Sequence, residues 1–232
     1  MLERILDFER EVFFLLNGSN SEYLDRFIWL YTGKVVWLPL ALFILIILVY
    51  KKNWREWLPI LLAITLVVTL CDQFSSSLIK PAFERFRPTH HPGFMDQIDT
   101  VFGYRGGLYG FISSHATNAF GFAMFMSLLF RKAVFTWTIM FWATLTAYTR
   151  IYLGVHFISD IVPGILVGLF FGYLVYVLYA FVRKRYIFGD KAGEERPSAV
   201  YSVKSKMLIV YGIFFTIICL LLFNSIITAL IR

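Results

Sequence analysis

His156 and Asp160, four residues apart, form a chemically suggestive pair in this chain. On one face of a helix start, two such side chains can hydrogen-bond. A carboxylate on one imidazole nitrogen fixes the tautomer and leaves the other nitrogen free to attack or to accept a proton. A second histidine, His115, follows Ser113 and Ser114, and Ser113 reads as the N-cap of a helix. The first free N–H groups of such an end point outward and bind phosphate readily. Lys80, Arg87 and Arg150 supply three cations, and Pro81 and Pro88 bracket a short turn that holds Lys80 and Arg87 on one side. Cations, a helix N-terminus and two histidines together describe a phosphate pocket with a nucleophile and an acid.

The elements that must position these groups are set by an apolar composition. Of 232 residues, 59% are hydrophobic, 19% aromatic and 16% charged, and the mean hydropathy is +0.69. Average globular chains are about a quarter charged, so disorder, a nucleic-acid-binding domain and a disulfide scaffold are all disfavoured. The net charge of +7, from 22 Lys plus Arg against 15 Asp plus Glu, fits cytoplasmic loops of a membrane chain, with no nucleic-acid partner. Cys71 and Cys219 lie in apolar runs as small packing residues.

Segments 57–79, 112–130, 133–149, 157–182 and 207–231 are long enough to cross a hydrocarbon core, which needs about 20 helical residues. Segment 27–50 is taken as a sixth span, with Lys34 snorkelling to the interface. Residues 2–16 place apolar side chains at helical spacing between Glu3, Asp7, Glu9, Arg10 and Glu11, as in an amphipathic surface helix. The segment lacks the basic start and cleavage site of a signal peptide. Lys51, Lys52 and Arg55, then Arg131 and Lys132, then Arg183, Lys184, Arg185, Lys191, Arg196, Lys204 and Lys206 fall on loops that share one face. The positive-inside rule makes that face cytoplasmic. The expected architecture is all-α: a polytopic six-helix transmembrane bundle with an N-terminal amphipathic surface helix and both termini outside. Residues 1–232 form one membrane-embedded domain, with 1–26 interfacial and the chemistry in 80–160.

The unusual charges therefore gather on the outer face, in segment 80–111 and in the corner 150–155. Ionisable groups at membrane depth are costly unless paired or solvated, and so mark function. Taken singly, Lys80, Arg85 and Arg87 fit interfacial anchors equally well. His90 and His91, before Pro92-Gly93, suit a loop better than a metal site because a third ligand at metal spacing is missing. Gly103, Gly106, Gly107 and Gly110 suit a flexible lip over the site, and Trp29, Tyr31, Trp37 and Trp54 suit interface belts. Asp72 and Gln73, near the outer end of the second span, stay unassigned.

Lys80-(six residues)-Arg87-Pro88, Ser113-Ser114-His115 and Arg150-(five residues)-His156-(three residues)-Asp160 resemble the three signature motifs of the type-2 phosphatidic acid phosphatase superfamily. That superfamily includes lipid phosphate phosphatases, phosphatidylglycerophosphate, undecaprenyl-diphosphate and lipid A phosphatases, and vanadium-dependent haloperoxidases. Two departures stand out. Ile112-Ser113-Ser114-His115 replaces the usual Pro-Ser-Gly-His, and Thr149-Arg150 replaces Ser-Arg. A Ser in place of Gly carries strain if that backbone needs a positive φ.

The resemblance implies that His156 takes the phosphoryl group as a phosphohistidine, that Asp160 orients it and that His115 protonates the departing oxygen. Lys80, Arg87, Arg150, Ser113 and the backbone near Ser114 would hold the phosphate oxygens, with no metal and no cofactor. The implied function is a lipid phosphatase in the lipid bilayer of a bacterial inner membrane, its site facing the periplasm, acting on a lipid A phosphate or undecaprenyl diphosphate. Phosphatidylglycerophosphate or phosphatidic acid remains an alternative, as does an anion transporter. Soluble haloperoxidase chemistry is disfavoured by the six apolar spans.

Overall fold

The computed structural model describes residues 2–19, 21–188 and 197–231, so Lys191 and Arg196 lie outside the described residues. The helices are α1 (Leu2–Leu16), α2 (Glu22–Thr32), α3 (Leu38–Val49), α4 (Trp54–Asp72), α5 (Lys80–Phe83), α6 (Ser114–Phe130), α7 (Ala133–Tyr152), α8 (Ile158–Val182) and α9 (Val203–Ile231). Among the described residues, the one β-type pairing is an isolated antiparallel bridge between Phe86 and Tyr109.

α6 is the central helix. Ala116, Ala119, Ala123, Phe125, Met126, Leu129 and Phe130 are buried on all its sides, as expected of a helix enclosed by others. It packs most extensively on α8, then on α7 and α4. Small residues permit the α6–α8 approach: a Cβ added at Gly168 would lie 2.4 Å from the Thr117 carbonyl oxygen. The other side of α8 exposes Leu166, Phe170, Leu174, Val177, Leu178 and Phe181. So large an apolar stripe calls for lipid rather than water.

By length and composition, Trp54–Phe83, Ile158–Arg185 and Val203–Leu230 can each cross a membrane. The pair Glu22–Thr32 and Val35–Val49, bent by 68°, adds a fourth if it counts as one span. Within the expected span 27–50 the chain breaks at Gly33 into two helices, the Gly33 N–H closing α2 on the Leu30 carbonyl. Tyr31 is corrected. It is 1% exposed, with its hydroxyl donating to the Trp142 carbonyl, so it belongs to the core rather than to an interface belt. α7 runs on to Tyr152, which puts Arg150 in its last turn rather than in a corner. A cation there suits the negative end of the helix dipole. The expected helix over 2–16 forms as α1, and Phe13 is fully buried against Phe157 with ring centroids 5.4 Å apart.

Candidate active site

Beyond α5 the chain turns through Glu84 at φ 45°, a left-handed conformation that ends the helix. Arg87 is held extended by the following Pro88. Residues 85–87 then run beside 108–110: the Arg87 N–H donates to the Leu108 carbonyl at 3.0 Å and the Gly110 N–H to the Arg85 carbonyl at 2.8 Å. Alternate residues of an extended chain share a face, so Arg85 and Arg87 point the same way. Gly110 is required by closeness, because a Cβ there would lie 3.0 Å from Asp160 Oδ2 and 3.3 Å from Arg87 Cγ.

His156 is 1% exposed and lies at this seam. Arg87 Nη1 is 3.1 Å from its Nε2. A guanidinium only donates, so Nε2 accepts, and the proton of the neutral ring is assigned to Nδ1. Nδ1 lies 3.4 Å from Asp160 Oδ2, a contact looser than a formed N–H···O bond. Burial, reinforced by Arg87, Arg150 and Lys80, holds the proton affinity of His156 well below the usual imidazole range. Burial is the largest of these effects, and the cations add to it.

The two residues do not share a helical face as the four-residue spacing suggests. His156 precedes α8, and Phe157 is the N-cap, whose N–H donates to Asp160 Oδ2 at 3.0 Å. The N3 carboxylate reaching back to the cap is what brings Asp160 toward His156.

Lys80 arrives on a π-helical turn, Gln73–Ile79, and its own N–H bonds the Ser75 carbonyl five residues back. Its Nζ donates to Ser114 Oγ at 2.7 Å, and Ser76 Oγ is 2.9 Å from the same atom. Ser113 caps α6 as expected, its buried Oγ accepting from the Ala116 N–H at 3.5 Å, while its own N–H donates to the Asp160 carbonyl at 3.0 Å. Ser114 is the first residue of α6 and has no positive φ, so replacing Gly adds no backbone strain there. His115 is half-buried, with Arg150, His156, Arg87 and Lys80 as its titratable neighbours.

Arg150 is 1% exposed; Nη1 donates to Thr32 Oγ1 at 2.6 Å and Nη2 to the Tyr104 hydroxyl at 3.2 Å. Among the described residues, the buried Arg87 Nε, Arg150 Nε and His156 Nδ1 have no hydrogen-bond partner. Buried donors without partners are rare; His156 Nδ1 faces Asp160, and the two guanidinium donors suit an anion.

All eight expected site residues thus lie along one seam. His90 and His91 form part of a 3₁₀ turn and its cap, and His91 stacks on Phe94 with centroids 4.1 Å apart. No group of three His, Cys, Asp or Glu side chains able to hold a metal occurs among the described residues. Asp72 sits 3.5 Å from Asn118, between α4 and α6.

Four neighbours escape a reading of the sequence. Thr32 and Tyr104 hold Arg150, and Glu9 holds Arg85, whose Nη1 is 2.8 Å from Asp160 Oδ1. Only Arg85 left a trace in the sequence, in its two-residue spacing from Arg87 on an extended X-Pro segment.

The model of the PAP2 superfamily matches residues 56–184, more than half of the chain and all three motifs. The chain belongs to the PAP2 superfamily. It is 46% identical to the Lipid A 4'-phosphatase of Porphyromonas gingivalis over 94% of this chain and 93% of that protein. With the Lipid A 4'-phosphatase of Bacteroides thetaiotaomicron the identity is 38%, over 77% of this chain and 80% of that one. The fold matches the crystal structure of a transmembrane PAP2-type phosphatidylglycerolphosphate phosphatase from Bacillus subtilis, with a TM-score of 0.59 at 22% identity, covering 79% of this chain and 89% of that one. As a PAP2 protein with several membrane-spanning helices, it is a multi-pass membrane phosphatase.

Proposed function

We propose that this chain removes a phosphate from lipid A, through a phosphohistidine formed on His156. The observation that carries the mechanism is the buried Nε2 of His156, an acceptor beside Arg87 with Arg150 and Lys80 nearby. A nucleophile kept unprotonated by burial, with help from the cations that bind its target, can attack without a separate base. Support for the lipid is the 46% identity to a Lipid A 4'-phosphatase across nearly the whole chain.

In the first step, a bond forms from Nε2 to phosphorus and the bond from phosphorus to the lipid oxygen breaks. His115 gives its proton to that oxygen. Water then attacks the phosphohistidine, His115 takes the water's proton, and inorganic phosphate leaves with Nε2 free again. Asp160 balances the charge that develops on the His156 ring. Lys80, Arg87, Arg150 and the first N–H groups of α6, aimed by Ser113 and Ser114, hold the phosphoryl oxygens where charge concentrates.

Six membrane crossings suit the apolar segments, with α1 at the interface and the whole chain as one unit. The Lys- and Arg-rich loops face the cytoplasm and the site faces the periplasm of a bacterial inner membrane. Phosphate release from lipid A, undecaprenyl diphosphate, phosphatidylglycerophosphate and phosphatidic acid in detergent tests this. Release greatest from lipid A, unaffected by chelator and inhibited by vanadate, is expected. Preference for another of the four overturns the substrate, and anion flux without phosphate release overturns the reaction.

A further inference from the structure

The Asp160 carboxylate is fully buried and has two different sides. Oδ2 faces the Phe157 N–H and His156 Nδ1. Oδ1 takes Arg85 Nη1 at 2.8 Å, and the same Nη1 reaches Ser159 Oγ at 2.6 Å. The other end of the guanidinium, Nη2, lies 3.1 Å from Glu9 Oε2 on α1. The second oxygen of Glu9, Oε1, accepts the Ser159 N–H at 2.8 Å, a free donor in the first turn of α8. The Arg85 guanidinium also lies over the Phe157 ring, 4.7 Å from its centroid. A planar fork pinned on both edges and one face has little freedom left.

We infer that Arg85, locked by Glu9, is a positioning residue that fixes the Asp160 carboxylate so that only Oδ2 addresses His156. The inference rests on the proposed roles of His156 and Asp160. Arg85 draws one carboxylate oxygen away from the ring. Without it, both oxygens are free to swing onto Nδ1, and the anion faces the imidazole unopposed. His156 would then hold a proton more tightly and attack less readily. The titratable and charged groups around His156 are Arg87 on the loop, Lys80 on α5, His115 on α6, Arg150 on α7 and Asp160 on α8. Arg85 acts on the ring only through Asp160. The chain of contacts also makes α1, which carries no signature motif, part of the machinery: Glu9 lies 150 residues from the Ser159 it caps.

The test is steady-state phosphate release from lipid A in detergent, across pH, by full-length Arg85→Gln, Arg85→Lys and Glu9→Gln. His156→Ala and Arg10→Gln serve as controls. Arg85→Gln is expected to lower kcat about 100-fold with KM changed less than about threefold, and to move the acid limb of the pH–rate profile to higher pH. Arg85→Lys, which keeps the charge and loses the fork, should recover part of kcat and return the limb toward the parent position. Glu9→Gln should lower kcat about tenfold with a smaller shift in the same direction. Arg10→Gln, removing only an exposed pair with Asp7, should leave kcat unchanged.

A rise in KM alone in the Arg85 variants would make Arg85 a headgroup contact and overturn the inference. An unmoved pH profile, or full kcat in Arg85→Gln, overturns it as well. If Arg85→Gln does not fold, the shift of the acid limb in Glu9→Gln decides by itself. Retained activity in His156→Ala would instead sink the proposed mechanism, whatever the Arg85 variants do.

Discussion

The two ends of α8 handle buried arginine in opposite ways. Near its end, Arg183 is closed by Glu56 of α4, Nε at 3.1 Å from Oε2 and Nη2 at 2.8 Å from Oε1, a bidentate pair with both side chains nearly buried. Near its start, Arg87 and Arg150 have no carboxylate of their own among the described salt bridges, and their Nε donors are without hydrogen bonds. A closed pair fastens helices together, whereas cations left open in a dry site keep binding capacity for an anion that arrives from outside. The difference separates structure from chemistry better than burial does, since both ends are buried.

Breaking the open end should abolish turnover and leave the fold. His156→Ala is expected to lower kcat by at least about 10³-fold, with unchanged elution and melting in detergent. His115→Ala should lose about 10²–10⁴-fold on a lipid substrate. The loss should be smaller on an aryl phosphate, whose leaving group needs no proton; equal losses on both would remove His115 from the acid role. Arg87→Lys keeps the charge and loses the planar donor, so about a tenfold or greater loss in kcat/KM is expected.

The pH dependence sharpens the same contrast. Burial and the cations hold His156 well below 6.5, so the free enzyme keeps its nucleophile unprotonated at pH 6.5, and the acid limb of kcat/KM should lie below that value. Arg87→Gln removes a cation, raises the ring's proton affinity and should move the limb upward. A limb that stays in place would show that Arg87 does not tune the ring. At the closed end the smallest effect on rate is expected. Glu56→Gln should lower thermal stability through an uncompensated buried arginine, by about 3–5 kcal/mol, while kcat in the folded fraction stays within about twofold. The double variant Glu56→Gln, Arg183→Met should recover part of that stability.

The eight candidate site residues that the structure brings to one seam were legible because the chemistry proposed for them depends on type and short spacing. Lys80 with Arg87, Ser113 with His115, and Arg150 with His156 and Asp160 each lie close together in the sequence, although only Ser113 and His115 share one helix end, while Arg150 is on α7 and Asp160 on α8. The helical class and most helix positions followed from apolar length. What stayed hidden depended on long-range docking: Glu9 meets Arg85 across 76 residues and Thr32 meets Arg150 across 118. The bend at Gly33 lies where Thr32-Gly33-Lys34 interrupts the apolar run, an interruption that a reading by apolar length alone passes over. The His156–Asp160 spacing pointed to the right pair for the wrong reason, since a cap rather than a helical face brings them together.

The π-helical turn before Lys80 makes this stretch of membrane helix tolerant of losing a residue and intolerant of gaining one. A π-turn already holds a residue more than regular winding needs, so removing one between 73 and 79 is absorbed as ordinary α-helix with Lys80 kept beside Ser114, whereas adding one swings Lys80 about 100° around the axis. Such an addition would pass any test of membrane insertion and still silence the protein, whereas most substitutions in the same seven residues would leave the lysine where it is.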